Sequence, residues 1–196
     1  MTTLCLVALS SPALAHAPSP GLQGFWRGFL HPLTDPMQYP VLIAFALAIG
    51  PLGLAAVRRS LLAFGLSTVL GFAAGIAIGT TAFPTGTTTA LLSIAAILSL
   101  AAILRAPLPP TLCALTGILA GGLAGFANVP EQGEMAAFVV TSLGSLVAVN
   151  IVAMLTTTGI DYLGEEYDWP WLANAWRVLA AWTLAIAVLT LAITLR

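Results

Sequence analysis

Charge is confined to a few short islands in this chain. No Asp, Glu, Lys or Arg occurs from Pro36 to Val57, Ser60 to Leu104, Ala106 to Pro130, Met135 to Ile160, or Val178 to Leu195. A helix needs about 20 predominantly apolar residues to cross a bilayer, and each window is near that length or longer. Only 7% of the 196 residues are charged and 59% are hydrophobic. A soluble domain carries about 25% charged residues, and a disordered chain needs low hydrophobicity, so both classes are excluded. The expectation is an all-α integral membrane protein with six transmembrane helices after a cleavable signal peptide. Its environment is the lipid bilayer of an inner membrane.

The charged residues exclude other functions. There is no Lys, and the net charge of -1 leaves no basic face for nucleic acid. Cys5 and Cys113 lie far apart in apolar runs, with neither a C-x-x-C pattern nor a disulfide partner in view.

Leu4 to Leu9 form an apolar stretch too short to span, followed by Ser10, Ser11, Pro12 and then Ala13-Leu14-Ala15, an A-x-A cleavage pattern. No positive residue precedes the stretch, which points to a start upstream. Cleavage after Ala15 makes residues 1–15 a signal peptide and starts the mature chain at His16, in the periplasm. Residues 16–37 are then a periplasmic segment and 38–196 the transmembrane domain.

Spans are expected near 38–57, 62–82, 87–104, 109–128, 135–158 and 177–195, with the long second window turning at Phe83-Pro84-Thr85-Gly86. With the N-terminus outside, Arg58, Arg59, Arg105 and Arg177 fall in cytoplasmic loops, while Arg27 and Arg196 fall outside. That imbalance agrees with the positive-inside rule. The acidic cytoplasmic loop Asp161–Trp176 carries Trp169, Trp171 and Trp176, either an aromatic belt at headgroup level or a docking surface. Leu22, Phe25, Trp26, Phe29 and Leu30 recur with helical spacing, as in a short helix lying on the outer membrane face.

Gly71, Gly75 and Gly79 precede Pro84, and Gly117, Gly121 and Gly125 precede Pro130 at one constant offset. Either spans two–three and four–five are a parallel repeat, or the two glycine stripes are independent packing faces that let helix backbones approach closely. Both readings put spans two and four at the packed centre.

No expected span interior carries an ionisable residue, which argues against proton-coupled pumping and intramembrane proteolysis, and no enzyme activity is expected. The polar groups placed on a transport path are Gln38 and Asn150. Asn150, mid-span, either hydrogen-bonds a neighbouring helix or lines a path. Thr156, Thr157 and Thr158 can bond back to their own helix carbonyls. At the outer rim, His31 and Asp35 lie four apart, and a mature N-terminal His16 would offer an amine and an imidazole together. Imidazole nitrogens suit nickel, copper, zinc and cobalt, so His16, His31 and Asp35 form a candidate metal site. The blander alternative is that His31 is a satisfied helix-entry residue. Pro32 and Pro36 also disturb the helical spacing of His31 and Asp35.

Gly28-Phe29-Leu30-His31-Pro32-Leu33-Thr34, entering the first of six spans after a leader whose cleavage site lies at Ala15-His16-Ala17, resembles the HupE/UreJ family. The resemblance implies a bacterial membrane protein encoded near hydrogenase or urease genes, acting as a permease for nickel or sometimes cobalt. The family pattern continues H-P-L-T-G-L-D-H, so its Asp and second His fall on Met37 and Gln38. Its H-G-x-A-H-G motif falls on Gly121 to Phe126, with glycine at both histidine positions, and a further His falls on Asn150. His31 alone survives of that ligand set, with Asp35 a shifted replacement for the lost Asp. Three functions follow as expectations. The first is a divergent transition-metal permease. The second is an accessory or scaffold subunit that has lost its ligands and serves a membrane or metalloenzyme-maturation partner. The third is a small-solute permease.

Overall fold

A computed structural model of the chain describes residues 23–79, 84–130, 134–167 and 169–196. The signal peptide and His16 lie outside them. Seven α-helices and one 3₁₀ turn make up the fold, with no strand among the described residues. They are α1 (Phe25–Thr34), α2 (Tyr39–Ile49), the 3₁₀ turn Gly50–Leu52, α3 (Leu54–Ile78), α4 (Pro84–Leu104), α5 (Pro110–Ala127), α6 (Met135–Glu166) and α7 (Leu172–Thr194). Helices α3 to α7 are each long and apolar enough to cross a membrane. A sixth crossing requires α1 and α2 together, and these are bent by 68°.

The first span is broken at both ends by backbone chemistry. Asp35 precedes Pro36 and adopts the extended conformation (φ -81°, ψ 111°) that the proline ring imposes on its predecessor. Pro51 has no amide to donate, and Gly53 takes φ 87°, a left-handed value that other residues avoid. Thus α2 stops at Ile49, before the expected boundary at 57, and α3 begins at Leu54, inside what was expected to be the first span and ahead of the expected start at 62. Arg58 and Arg59 therefore ride on the first turns of α3. At the far end of the bundle sequence, α6 continues to Glu166, beyond the expected 158, so Asp161 is helical. Helix α7 starts at Leu172, which places Trp176 in the helix as well.

Helix α2 is the axis of the bundle, and nine of its residues are buried. Val41, Leu42, Phe45 and Ile49 pack against α3 to α7, and the Phe45 and Phe64 rings meet at 5.1 Å. The outer surface is apolar: Leu66 and Leu70 of α3 are each 70% exposed, and Trp182 and Leu189 of α7 are also bare. A soluble monomer rarely shows such a continuous surface, and lipid covers it without cost.

The tightest contact joins α3 to α5. Added Cβ atoms at Gly117, Gly121 and Gly125 would collide in turn with the backbone at Ser60, Phe64 and Thr68, so the two helices run parallel. Gly71 meets the backbone of Gly122 in the same way. The hydroxyls of Ser60 and Ser67 donate across this contact to the carbonyls of Cys113 (2.8 Å) and Gly117 (3.2 Å). Gly75 is buried in α3. Gly79 was expected on the packing face but ends α3 instead: its φ is 84°, and a Cβ there would meet nothing within 4 Å.

Helix α1 docks on the first half of α6 by its small residues. Gly28 lies against the Thr141 and Ser145 backbone, and Gly144 against the Phe25 and Phe29 backbone. Pro32 supplies no amide for the Gly28 carbonyl, and the Ser145 hydroxyl donates to that carbonyl at 3.0 Å. The aromatic residues of α1 contact one another, with Phe25 and Phe29 stacked and Trp26 edge-on to both and 59% exposed.

Candidate functional site

The break between α1 and α2 collects the polar side chains of one end of the bundle. Asp35 sits on the bend, where its Oδ1 accepts from the Met37 amide at 2.9 Å, a local turn that fixes the carboxylate. Its Oδ2 accepts from the Gln38 side-chain amide, also at 2.9 Å. The same Gln38 Nε2 lies 3.5 Å from His31 Nε2. Gln38 therefore joins His31 and Asp35, which sit on either side of Pro32–Thr34.

A fourth member comes from ninety residues away. Asn128 ends α5, and its Nδ2 donates both to the Gln38 Oε1 and to the Ala124 carbonyl, the latter at 2.7 Å. Gln38 is 3% exposed and Asn128 1% exposed. The Asn128 Oδ1 is buried and has no hydrogen-bond partner among the described residues. An unpaired buried carbonyl oxygen costs about 1–3 kcal/mol, and a donor or a cation relieves that cost. His31 is exposed, so the cluster opens outward at the imidazole and closes inward at the two amides. It offers one imidazole nitrogen, one carboxylate and the unpaired Asn128 Oδ1, and the Gln38 oxygen joins them only if its amide, whose nitrogen now faces His31 and Asp35, turns over. That is a mixed nitrogen–oxygen donor set able to hold a divalent cation loosely. Among the described residues no three His, Cys, Asp or Glu side chains converge on one point, so a tight all-protein metal cage is not built here.

Sequence reasoning singled out His31, Asp35 and Gln38, and the fold brings these three together. It missed Asn128, which stood at the end of an expected span with no motif around it. The signal available was Asn128-Val129-Pro130, an amide at a helix end, the same chemistry as Gln38 at a helix start.

Asn150 lies away from this cluster. Its amide donates to the Leu146 carbonyl of its own helix at 2.9 Å, and its oxygen faces Gly65 of α3. Thr156 and Thr158 bond back to their own helix, each at 2.6 Å. Thr157 departs from that expectation: its hydroxyl is buried and has no partner among the described residues. Near the other end of α6, the aromatic cluster consists of Tyr167, Trp169 and Trp171, stacked at 4.5 and 5.5 Å. Trp176 is separate from them and packs with Ile160 between α6 and α7.

A family model described as HupE / UreJ protein matches residues 4–192, nearly the whole chain. No curated protein and no solved structure matches it. The chain belongs to the HupE/UreJ family and is a membrane protein.

Proposed function

We propose that this HupE/UreJ family protein is a permease for a divalent transition-metal cation, nickel or cobalt, in a bacterial inner membrane. In this reading the signal peptide of residues 1–15 is removed and the mature N-terminus is periplasmic. The cation enters at His31, exchanges water for the Asp35 carboxylate, and meets the Asn128 amide oxygen, joined by that of Gln38 once its amide turns over, at the head of α2. The single observation that carries this reading is the buried, unpaired Asn128 Oδ1 at the closed end of a cluster containing His31 and Asp35. His16, on the mature N-terminus, can add nitrogens from above. A loose donor set suits cargo that must leave as readily as it arrives, as conduction requires.

The test is uptake of radiolabelled nickel or cobalt into proteoliposomes holding the purified mature protein. Wild type takes up cation above empty vesicles, and His31→Ala and Asp35→Asn each lower the initial rate at least tenfold. Equal rates for all three and for empty vesicles overturn the reading.

A second reading has its own support. No set of three strong ligands converges among the described residues, as in a relative that has given up transport and serves a partner in metalloenzyme maturation. Co-purification of a hydrogenase or urease maturation protein, with no uptake, favours it. A third reading, permeation of a small uncharged solute, has only the amides of Gln38, Asn128 and Asn150 behind it.

A further inference from the structure

The second break of the first span faces an aspartate near the end of α6. Gly50, at the end of α2, packs directly on α6: an added Cβ would lie 2.6 Å from the Ile160 side chain and 3.1 Å from the Thr157 carbonyl. Asp161 follows Ile160 and is only 8% exposed. Its carboxylate makes no hydrogen bond or ion pair among the described residues. Thr157, one turn earlier on the same helical face, is fully buried, and its hydroxyl is also unpartnered.

Three features make this an electronegative spot. The carboxylate itself is charged. The carbonyl end of α2, with its partial negative charge, abuts the turn that carries it. Finally, Asp161, Glu165 and Glu166 crowd the last two turns of α6, where helix polarity disfavours acids, and the last turn has no basic residue to offset them. A carboxylate at the end of a spanning helix, with no partner among the described residues and a buried, unpartnered hydroxyl one turn before it, offers oxygen ligands to a cation.

We propose that Asp161 and Thr157 form a second cation site, at the end of the bundle opposite His31. Asp161 supplies the carboxylate, Thr157 a neutral hydroxyl oxygen, and Glu165 and Glu166 lead onward to the cytoplasm. The ligand is a hydrated divalent metal cation. As a second station on a route through the bundle, the site rests on the permease reading, but its occupancy can be measured without transport.

The experiment is equilibrium dialysis of the full mature chain in lipid nanodiscs against Co2+, with bound metal counted by mass spectrometry. Wild type is expected to bind two Co2+ per chain, and the His31→Ala/Asp35→Asn double variant one. Adding Asp161→Asn to that double variant removes the last ion, and Thr157→Val weakens it at least fivefold. If Asp161→Asn does not fold, Asp161→Glu and Thr157→Val carry the test, with Asp161→Glu keeping the ion. A wild type that binds one ion, lost with His31 and untouched by Asp161→Asn, overturns the inner site and leaves the permease reading standing. An inner ion in a protein that fails to take up metal sustains the site and overturns the permease reading. No bound Co2+ in any form overturns both.

Discussion

Asn128 donates its side-chain amide to the side-chain oxygen of Gln38, tying the end of α5 to the start of α2 within a buried pocket. One bond therefore connects the tightly packed α3–α5 pair to the bent first span. Replacing Asn128 with Leu removes the bond and leaves the Gln38 oxygen buried without a donor. The expected loss is about 1–3 kcal/mol of stability, read as a lowered Tm in detergent. Nickel uptake should fall alongside it.

Gln38 also offers a gain-of-function test. The family pattern has His at this position, and here the side chain already touches both Asp35 and the His31 ring. Gln38→His adds a second imidazole beside a carboxylate. Co2+ should bind at least tenfold more tightly, with a visible ligand-field spectrum absent from wild type. No tightening would show that the ring at 38 cannot turn toward His31.

The carbonyl of Gly28 lacks an amide partner because residue 32 is proline, and Ser145 fills the gap. Ser145→Ala should cost about 1 kcal/mol. In a Pro32→Ala background the helix supplies its own amide, and the same substitution should cost less than half as much. Thermal unfolding of the four proteins in this double-mutant cycle measures the coupling. Additive losses would mean that the hydroxyl does not compensate for the proline.

The helix glycines should separate sharply by position. Gly125→Ala drives a methyl into the Thr68 backbone and should destabilise by about 2 kcal/mol or more, as overpacking does. Gly159 sits on α6 with nothing within 4 Å of an added Cβ, and Gly159→Ala should stay within about 0.5 kcal/mol of wild type. Comparable Tm losses for both would deny the close backbone approach of α3 and α5.

The helical, membrane-spanning character was legible from the charge-free windows because hydrocarbon tolerates apolar residues along the whole length of a span. The same rule misplaced boundaries. Helices end where the backbone loses donors or turns left-handed, as at Pro51 and Gly53, and not where a charge first appears. Hence Arg58, Arg59 and Asp161 were assigned to loops although each lies on a helix. The Asp35–Gln38 corner was visible as chemistry in one contiguous segment. Asn128 was not, because its partner is distant in sequence and nothing local marks a buried amide. Thr157 could not be told from Thr156 and Thr158 by type, since only packing decides which hydroxyl turns away from its own helix.

The shortness of α2 has an electrical meaning. Eleven residues at 1.5 Å each give it about 16 Å of length, roughly half the ~30 Å of a bilayer's hydrocarbon. Were water to reach both corners, a potential of about 100 mV, worth about 2.3 kcal/mol per elementary charge, would fall across that half-thickness, and the field along α2 would be about twice that in the surrounding lipid.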